Sequence, residues 1–170
     1  MTVRIRPGQA ADIGRAVEVY VRSNLARRRG EWPNRVARTE FVSRRLADPA
    51  GWFYLAEDDD EAVGMVAVVP LLGDAGDGDP IPGGWFVSLL FVVSERWGEG
   101  IGAALLDAAM EEAARRGGTE IRLWTDEDDN ERAHRLYRSR DFAPTGRTVD
   151  SDERGTAGEW LRRLDPPLGR

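Results

Sequence analysis

The residues best suited to chemistry are three glycines at alternate positions in Trp97-Gly98-Glu99-Gly100-Ile101-Gly102. Before them runs Leu89-Leu90-Phe91-Val92-Val93, a short apolar stretch with β-branched and aromatic residues that reads as a buried strand. After them Ile101, Ala104, Leu105, Ala108 and Glu112 fall at helical spacing, four of the five apolar. Glycine leaves the backbone unshielded, so several N–H groups can converge on one anion at a helix start. A strand, a glycine loop and a helix N-terminus together form a phosphate cradle. The plainer alternative is a tight strand-to-helix turn whose glycines serve packing alone.

Two better-known phosphate loops are excluded. A Walker loop ends in Gly-Lys-Ser or Gly-Lys-Thr, and neither occurs here. A dinucleotide fingerprint has Gly-x-Gly-x-x-Gly, whereas Ala103 stands where its last glycine belongs, and the loop lies too far along the chain to follow a first strand. A second stretch carries polar chemistry at helical spacing: Asn130-x-x-Ala133-x-x-Leu136-Tyr137, followed by Phe142.

Leu90-x-Val92, Gly98-x-Gly100-Ile101-Gly102-x-x-Leu105-Leu106 and the Asn130–Phe142 stretch, in that order, resemble the GNAT superfamily of N-acetyltransferases. The resemblance covers most of the chain and is sharpest from Trp85 to Phe142. It implies a mixed α/β (α+β) fold, with a mostly antiparallel central sheet of about six to seven strands and about four flanking helices. It also implies acetyl-CoA as co-substrate, the pyrophosphate held by the amides of Trp97, Gly98, Glu99, Gly100, Ile101, Gly102 and Ala103. Val92 or Val93 would offer an N–H to the thioester oxygen. Asn130 would bond the pantetheine arm, or cap its helix, or both. Tyr137 matches the family's general acid; its spacing alone favours a half-buried core aromatic. The chain departs from the family twice. Trp97 stands where Gln or Arg is usual, with Arg96 one place earlier, so Arg96 or Trp97 would pack over the ADP part. Asp141-Phe142 replaces Gly-Phe, and Asp tolerates the left-handed backbone such a turn needs.

The elements that must position these residues follow from composition and pattern. The 170 residues suit one domain, 1–170, with a single core. Hydrophobic residues make up 41% and charged residues 32%, as in soluble globular proteins. No apolar run is long enough to span a bilayer, and Met1-Thr2-Val3-Arg4-Ile5-Arg6 has no signal-peptide core, so a cytoplasmic location is expected. With no cysteine and one histidine, neither a thiol nucleophile nor a metal site is expected. A net charge of −6 argues against a nucleic-acid partner. Arg27-Arg28-Arg29 reads as a basic helix end, and the abundance of Arg, Ala and Gly resembles that of bacterial proteins with GC-rich genes.

Along the chain, Val3 to Arg6 reads as an edge strand. Asp12 suits the cap of a helix with Ile13, Ala16, Val17 and Tyr20 on its buried face, running to about Arg29 and stopped by Gly30. Pro33 suits the start of a helix to about Leu46, and Trp32 between the two is a packing or substrate-contacting aromatic. Trp52–Glu57 and Ala62–Val69 read as a hairpin whose acidic tip, Asp58-Asp59-Asp60-Glu61, is solvated. Pro70–Gly84 reads as a flexible loop; Asp74, Asp77 and Asp79 lack the rest of a calcium ligand series. The helix after the glycine loop ends at Arg115-Arg116-Gly117-Gly118, and Glu120–Thr125 is a strand with Ile121 and Leu123 on one face. Asp126 to Asp129 lead to a short helix, begun by an Asp128–Glu131 capping box or by Asn130. Phe142–Arg147 and Thr156–Arg163 form a closing hairpin before a Pro166-Pro167 tail.

The expected reaction is acetyl transfer to a primary amine by direct attack in a ternary complex, the acceptor being a small molecule or a peptide. A homodimer is a possible assembly; a membrane partner is not expected. Asp126 or Glu127 through water, Ser88, and His134 are open candidates for the general base. A non-catalytic acyl-CoA-binding or sensor module, needing the glycines but not Tyr137, is the alternative from another class, and a site for another phosphorylated ligand is a third.

Overall fold

The computed structural model of the chain describes residues 2–27, 36–73, 76–128, 130–151 and 155–165. Trp32, Pro33, the Arg28-Arg29-Gly30 helix end, Asp74, Asp129 and the Pro166-Pro167 tail lie outside them. The strands are β1 (Arg4–Pro7), β2 (Trp52–Asp58), β3 (Glu61–Leu72), β4 (Pro80–Val92), β5 (Glu120–Asp126), β6 (Ala143–Ser151) and β7 (Gly155–Arg163). The helices are α1 (Ile13–Arg27), α2 (Val36–Leu46), α3 (Ile101–Arg115) and α4 (Glu131–Ser139). The strands form one mixed, mostly antiparallel sheet in the order β1-β2-β3-β4-β5-β7-β6, with β4 and β5 parallel. This is the mixed α/β architecture expected from the sequence. The chain resolves into two compact units, residues 1–69 with 88–109, and residues 70–87 with 110–170.

In the first unit, β3 supplies the core. Val63, Met65, Val66, Ala67 and Val68 are all buried, the near-continuous apolar run of a strand covered on both faces. The β2–β3 hairpin turns on Asp59 and Asp60, whose φ values of 46° and 66° are the left-handed pair that a two-residue hairpin loop requires. The tip is less solvated than its composition suggests. Asp59 and Asp60 are exposed, but Asp58 is only 6% exposed and is held by Arg96, so the acidic run is in part a buried anchor. Asp12 also differs from expectation. Rather than capping α1 by itself, its carboxylate accepts the Gln9 N–H at 2.9 Å across a short 3-10 turn, Ala10–Asp12.

Asp12 belongs to a cluster of charges that joins β1, α1 and β2. Arg6 forks onto both Asp12 oxygens at 2.8 and 2.9 Å and reaches Glu57 at 2.6 Å. Arg15 and Arg4 add contacts to Glu57 at 2.8 and 3.0 Å. Glu57 and Asp12 are both buried, so their charges depend on these partners. Hydrogen bonding from Arg6, foremost, holds the Glu57 carboxyl down to about 2 from an ordinary 4.5, and Arg6 likewise depresses Asp12. Because the folded-state values are depressed, this stability is present above the unfolded-state values and is lost as pH falls through the folded ones. Urea midpoints are therefore expected to be flat above pH ~5 and to fall steeply toward pH ~2. Glu57→Gln should be less stable at neutral pH and show a shallower acid slope.

In the second unit, β5 alternates as predicted: Ile121, Leu123 and Thr125 are buried on one face. The segment expected to be a flexible loop from Pro70 to Gly84 is mostly strand, because β3 continues to Leu72 and β4 starts at Pro80. Close packing explains the glycines: a Cβ on Gly84 would meet Leu71 at 3.0 Å, and one on Gly83 would meet Thr119 at 2.6 Å. Helix α3 buries Ile101, Leu105, Leu106, Ala109, Met110 and Ala113, whereas Ala104 is exposed, so its core face is rotated from the predicted one. It ends as predicted at Gly117 (φ 79°), with Gly118 N–H donating to Ala113 O at 2.8 Å.

Candidate active site

The glycine loop lies wholly in the first unit. Strand β4 ends at Val92, a 3-10 turn covers Ser94–Arg96, and α3 starts at Ile101. Gly98 and Gly100 have φ values of 86° and 81°, which side chains adopt only under strain. A Cβ at either position would meet nothing within 4 Å, so packing does not explain these glycines. What they provide is the left-handed backbone itself and an open face beside it. The Ala104 N–H donates to Gly100 O at 3.1 Å, closing the first turn of α3. The N–H groups before it, on Ile101, Gly102 and Ala103, have no carbonyl in the preceding turn to bond within the helix. The α3 dipole adds a partial positive charge at the same end.

Arg96 and Trp97 are both turned onto the protein. Arg96 donates to Asp58 at 2.8 Å and through Nε to Glu99 at 2.6 Å. Glu99 and Asp58 keep the guanidinium still more firmly protonated than an ordinary arginine. This arginine braces the loop against the β2–β3 hairpin. Trp97 Nε1–H donates to Val92 O at 2.8 Å, and the residue remains 38% exposed. Of the two strand-end amides, Val93 N–H is committed to Val63 O at 2.9 Å. The Val93 N–H is thus already engaged within the sheet. Strand alternation directs the neighbouring Val92 N–H to the opposite edge of β4, away from β3.

The second unit positions Asn130 and Tyr137. Asn130 stands at the N-cap of α4, but its side chain does not cap the helix. Its amide donates to Thr125 Oγ1 at 2.5 Å and to Asp126 O at 3.3 Å, tying the helix start to the end of β5. The Asp128–Glu131 capping box is accordingly not the start of α4. Ala133, Leu136 and Tyr137 share the inner face, with Tyr137 the most buried of them. Its ring lies between those of Phe142 and Trp160, at 6.0 Å from each. Asp141 carries φ 63°, the left-handed turn expected where the family has glycine.

The general-base candidates separate. His134 Nε2 lies 3.0 Å from Asp126 O, an atom that only accepts, so Nε2 carries a proton there and is no base. The His134 ring also stacks on Trp160 at 5.2 Å. Glu127 is exposed, and its carboxylate lies over Gly158, where a Cβ would meet Oε1 at 2.8 Å. Among the described residues, no group of three or more His, Cys, Asp or Glu side chains is arranged to hold a metal. No helix among them is long and apolar enough to cross a membrane. Sequence reading missed Asp58, Thr125 and Trp160. Only Trp160, a large aromatic next to Glu159 in β7, carried any local signal.

The model of the acetyltransferase (GNAT) family matches residues 17–142. No curated protein sequence matches the chain. Among solved structures, the chain is similar to the ribosomal-protein-S18-alanine N-acetyltransferase from Escherichia coli, at 14% identity over 99% of this chain and 97% of that one, with a TM-score of 0.74. It is similar to an aminoglycoside 6′-acetyltransferase of type Ii, at 22% identity over 96% and 99%, with a TM-score of 0.73. It is also similar to the PaiA N-acetyltransferase from Thermoplasma acidophilum in complex with coenzyme A, at 18% identity over 94% and 98%, with a TM-score of 0.67. At these identities the likeness is one of fold.

Proposed function

The chain belongs to the acetyltransferase (GNAT) family, and from that premise we propose that it moves the acetyl group of acetyl-CoA to a primary amine by direct attack in a ternary complex, with Tyr137 as general acid. Residues 1–170 are read as one N-acetyltransferase domain, since the family match runs through segments of both units. The observation that carries the reading is the loop at α3. Gly98 and Gly100 adopt left-handed backbone with open space beside them, at the start of a 15-residue helix. Loop and helix amides from Gly98 to Ala103 suit the pyrophosphate of coenzyme A, whereas the Trp97 N–H, also expected there from the sequence, donates to Ser94 O at 3.2 Å and closes the 3-10 turn. Asn130, held to β5 rather than to its own helix, is the proposed partner of the pantetheine arm.

When bound, acetyl-CoA supplies a thioester whose carbonyl carbon accepts the amine nitrogen and whose sulfur leaves. The Val92 N–H is the proposed donor to the oxygen that gains charge during attack. Tyr137 gives its phenolic proton to the sulfur. A thiol with pKa ~8.5 and a tyrosine near ~10 make this a modest uphill transfer, completed when the tyrosine is reprotonated. The amine must shed a proton before attack, and with His134 Nε2 engaged, Asp126 or Glu127 through water is the proposed acceptor. Two of the similar structures are named for their acceptors, an aminoglycoside and an alanine of ribosomal protein S18. By that analogy the acceptor proposed here is a small-molecule or peptide amine.

The test is thermal unfolding with and without acetyl-CoA. At 100 times its dissociation constant a ligand adds ~2.7 kcal/mol to stability, a rise of several degrees for a chain of this size. The rise is expected with acetyl-CoA and not with NAD or ATP. Gly100→Val, forcing a β-branched residue to φ 81°, should remove it. Equal rises with NAD or ATP would show a generic phosphate site and end this reading.

A further inference from the structure

The peptide unit joining Val92 to Val93 is gripped from both edges of β4. On one edge its N–H, on Val93, donates to Val63 O of β3 at 2.9 Å. On the other its carbonyl, on Val92, accepts the Trp97 indole N–H at 2.8 Å. Trp97 is also the residue directly before Gly98, so one side chain connects the end of the strand with the start of the glycine loop. The loop is fixed in turn by Arg96, which joins buried Asp58 to Glu99. All of these contacts lie within the first unit.

We infer that Trp97 is a positioning residue, whose indole N–H orients the strand-end peptide and so aims the adjoining Val92 N–H. The inference rests on the proposed acetyl transfer and refines it. A residue's N–H and C=O leave a strand on the same edge. The carbonyl that Trp97 holds therefore shares its edge with the N–H assigned to the developing oxyanion. An unheld carbonyl at a strand end is free to rotate toward water, and rotation there tilts the preceding N–H as well. Small misplacements of an oxyanion donor weaken transition-state stabilisation more than ground-state binding. The role differs from the one the sequence suggests, in which Trp97 packs over the ADP part and contributes to cofactor affinity.

The two roles separate in Trp97→Phe, which keeps an aromatic ring and loses the N–H, and in Trp97→Gln, which loses the ring and keeps a donor. Acetyl-CoA affinity and steady-state amine acetylation are measured for both, together with amide hydrogen exchange at Val93 by NMR in the unliganded proteins. Trp97→Phe should speed Val93 exchange and lower kcat by about tenfold, the worth of one lost hydrogen bond, with acetyl-CoA affinity within about twofold of the parent's. Trp97→Gln should recover most of kcat. Unchanged Val93 exchange in the Phe variant overturns the inference whatever the activity, as does a loss confined to acetyl-CoA affinity. If the parent itself neither binds acetyl-CoA nor releases coenzyme A, the proposed function fails, and the exchange result still reads out the hydrogen bond on its own.

Discussion

Replacing Tyr137 by Phe is expected to lower kcat by about 10²- to 10³-fold while leaving acetyl-CoA affinity unchanged. General acid catalysis by a positioned side chain is worth about 10²- to 10⁴-fold, and the phenolic oxygen is the only atom the substitution removes. The ring is buried between Phe142 and Trp160, each 6.0 Å away, and phenylalanine keeps that packing. Stability and the acetyl-CoA thermal shift therefore serve as internal controls. A measured kcat within threefold of the parent's would mean that another group protonates the leaving sulfur, and Tyr137 would revert to a core aromatic. If no amine supports release of free coenzyme A from the parent while acetyl-CoA still stabilises it, the sensor-module alternative gains the ground.

The largest stability effect is expected at Arg6. Arg6→Met should destabilise the fold by about 3 kcal/mol at neutral pH, measured as the change in unfolding free energy from urea titrations. The arginine contacts both Asp12 and Glu57, and its removal leaves two buried carboxylates short of their principal partner. Arg15 and Arg4 still reach Glu57, so its charge is not wholly orphaned, which keeps the figure at the low end for a broken buried pair. Adding Glu57→Leu to Arg6→Met should recover part of the loss, because an apolar side chain then replaces an undercompensated charge. A loss below 0.5 kcal/mol for Arg6→Met would show that water or the remaining arginines satisfy the cluster without it.

How much of this was legible in sequence depended on the range of the interaction. Gly98 and Gly100 could be read because the requirement they meet is their own backbone angle, and Asp141 could be read for the same reason. Strand β5 was legible because two-residue alternation is a local pattern. The charge cluster was not: Arg6 and Glu57 are 51 positions apart, and no spacing rule links β1 to β2. The same holds for Arg96 and Asp58, 38 positions apart, which made a buried anchor look like a solvated acidic tip. Pro80–Gly84 reads as a loop in sequence because proline and glycine usually interrupt strands. Here they begin one, where Gly83 and Gly84 admit Thr119 and Leu71 at close range. Asn130 looked like a helix cap because the residue type fits; its true partner, Thr125, is the side chain of a buried strand position.

Trp97 also gives the protein an optical reporter. Among the described residues it is the exposed tryptophan, the others being partly or fully shielded. Its emission should lie to the red of theirs and be selectively quenched by iodide or acrylamide. If acetyl-CoA seats in the glycine loop as proposed, its arrival beside the indole anchored to Val92 O is expected to alter quencher access to the ring even though the ring adds little to affinity. Titrating acetyl-CoA while following quencher-sensitive fluorescence would therefore follow loop occupancy without any label, and the Trp97→Phe protein supplies the background to subtract.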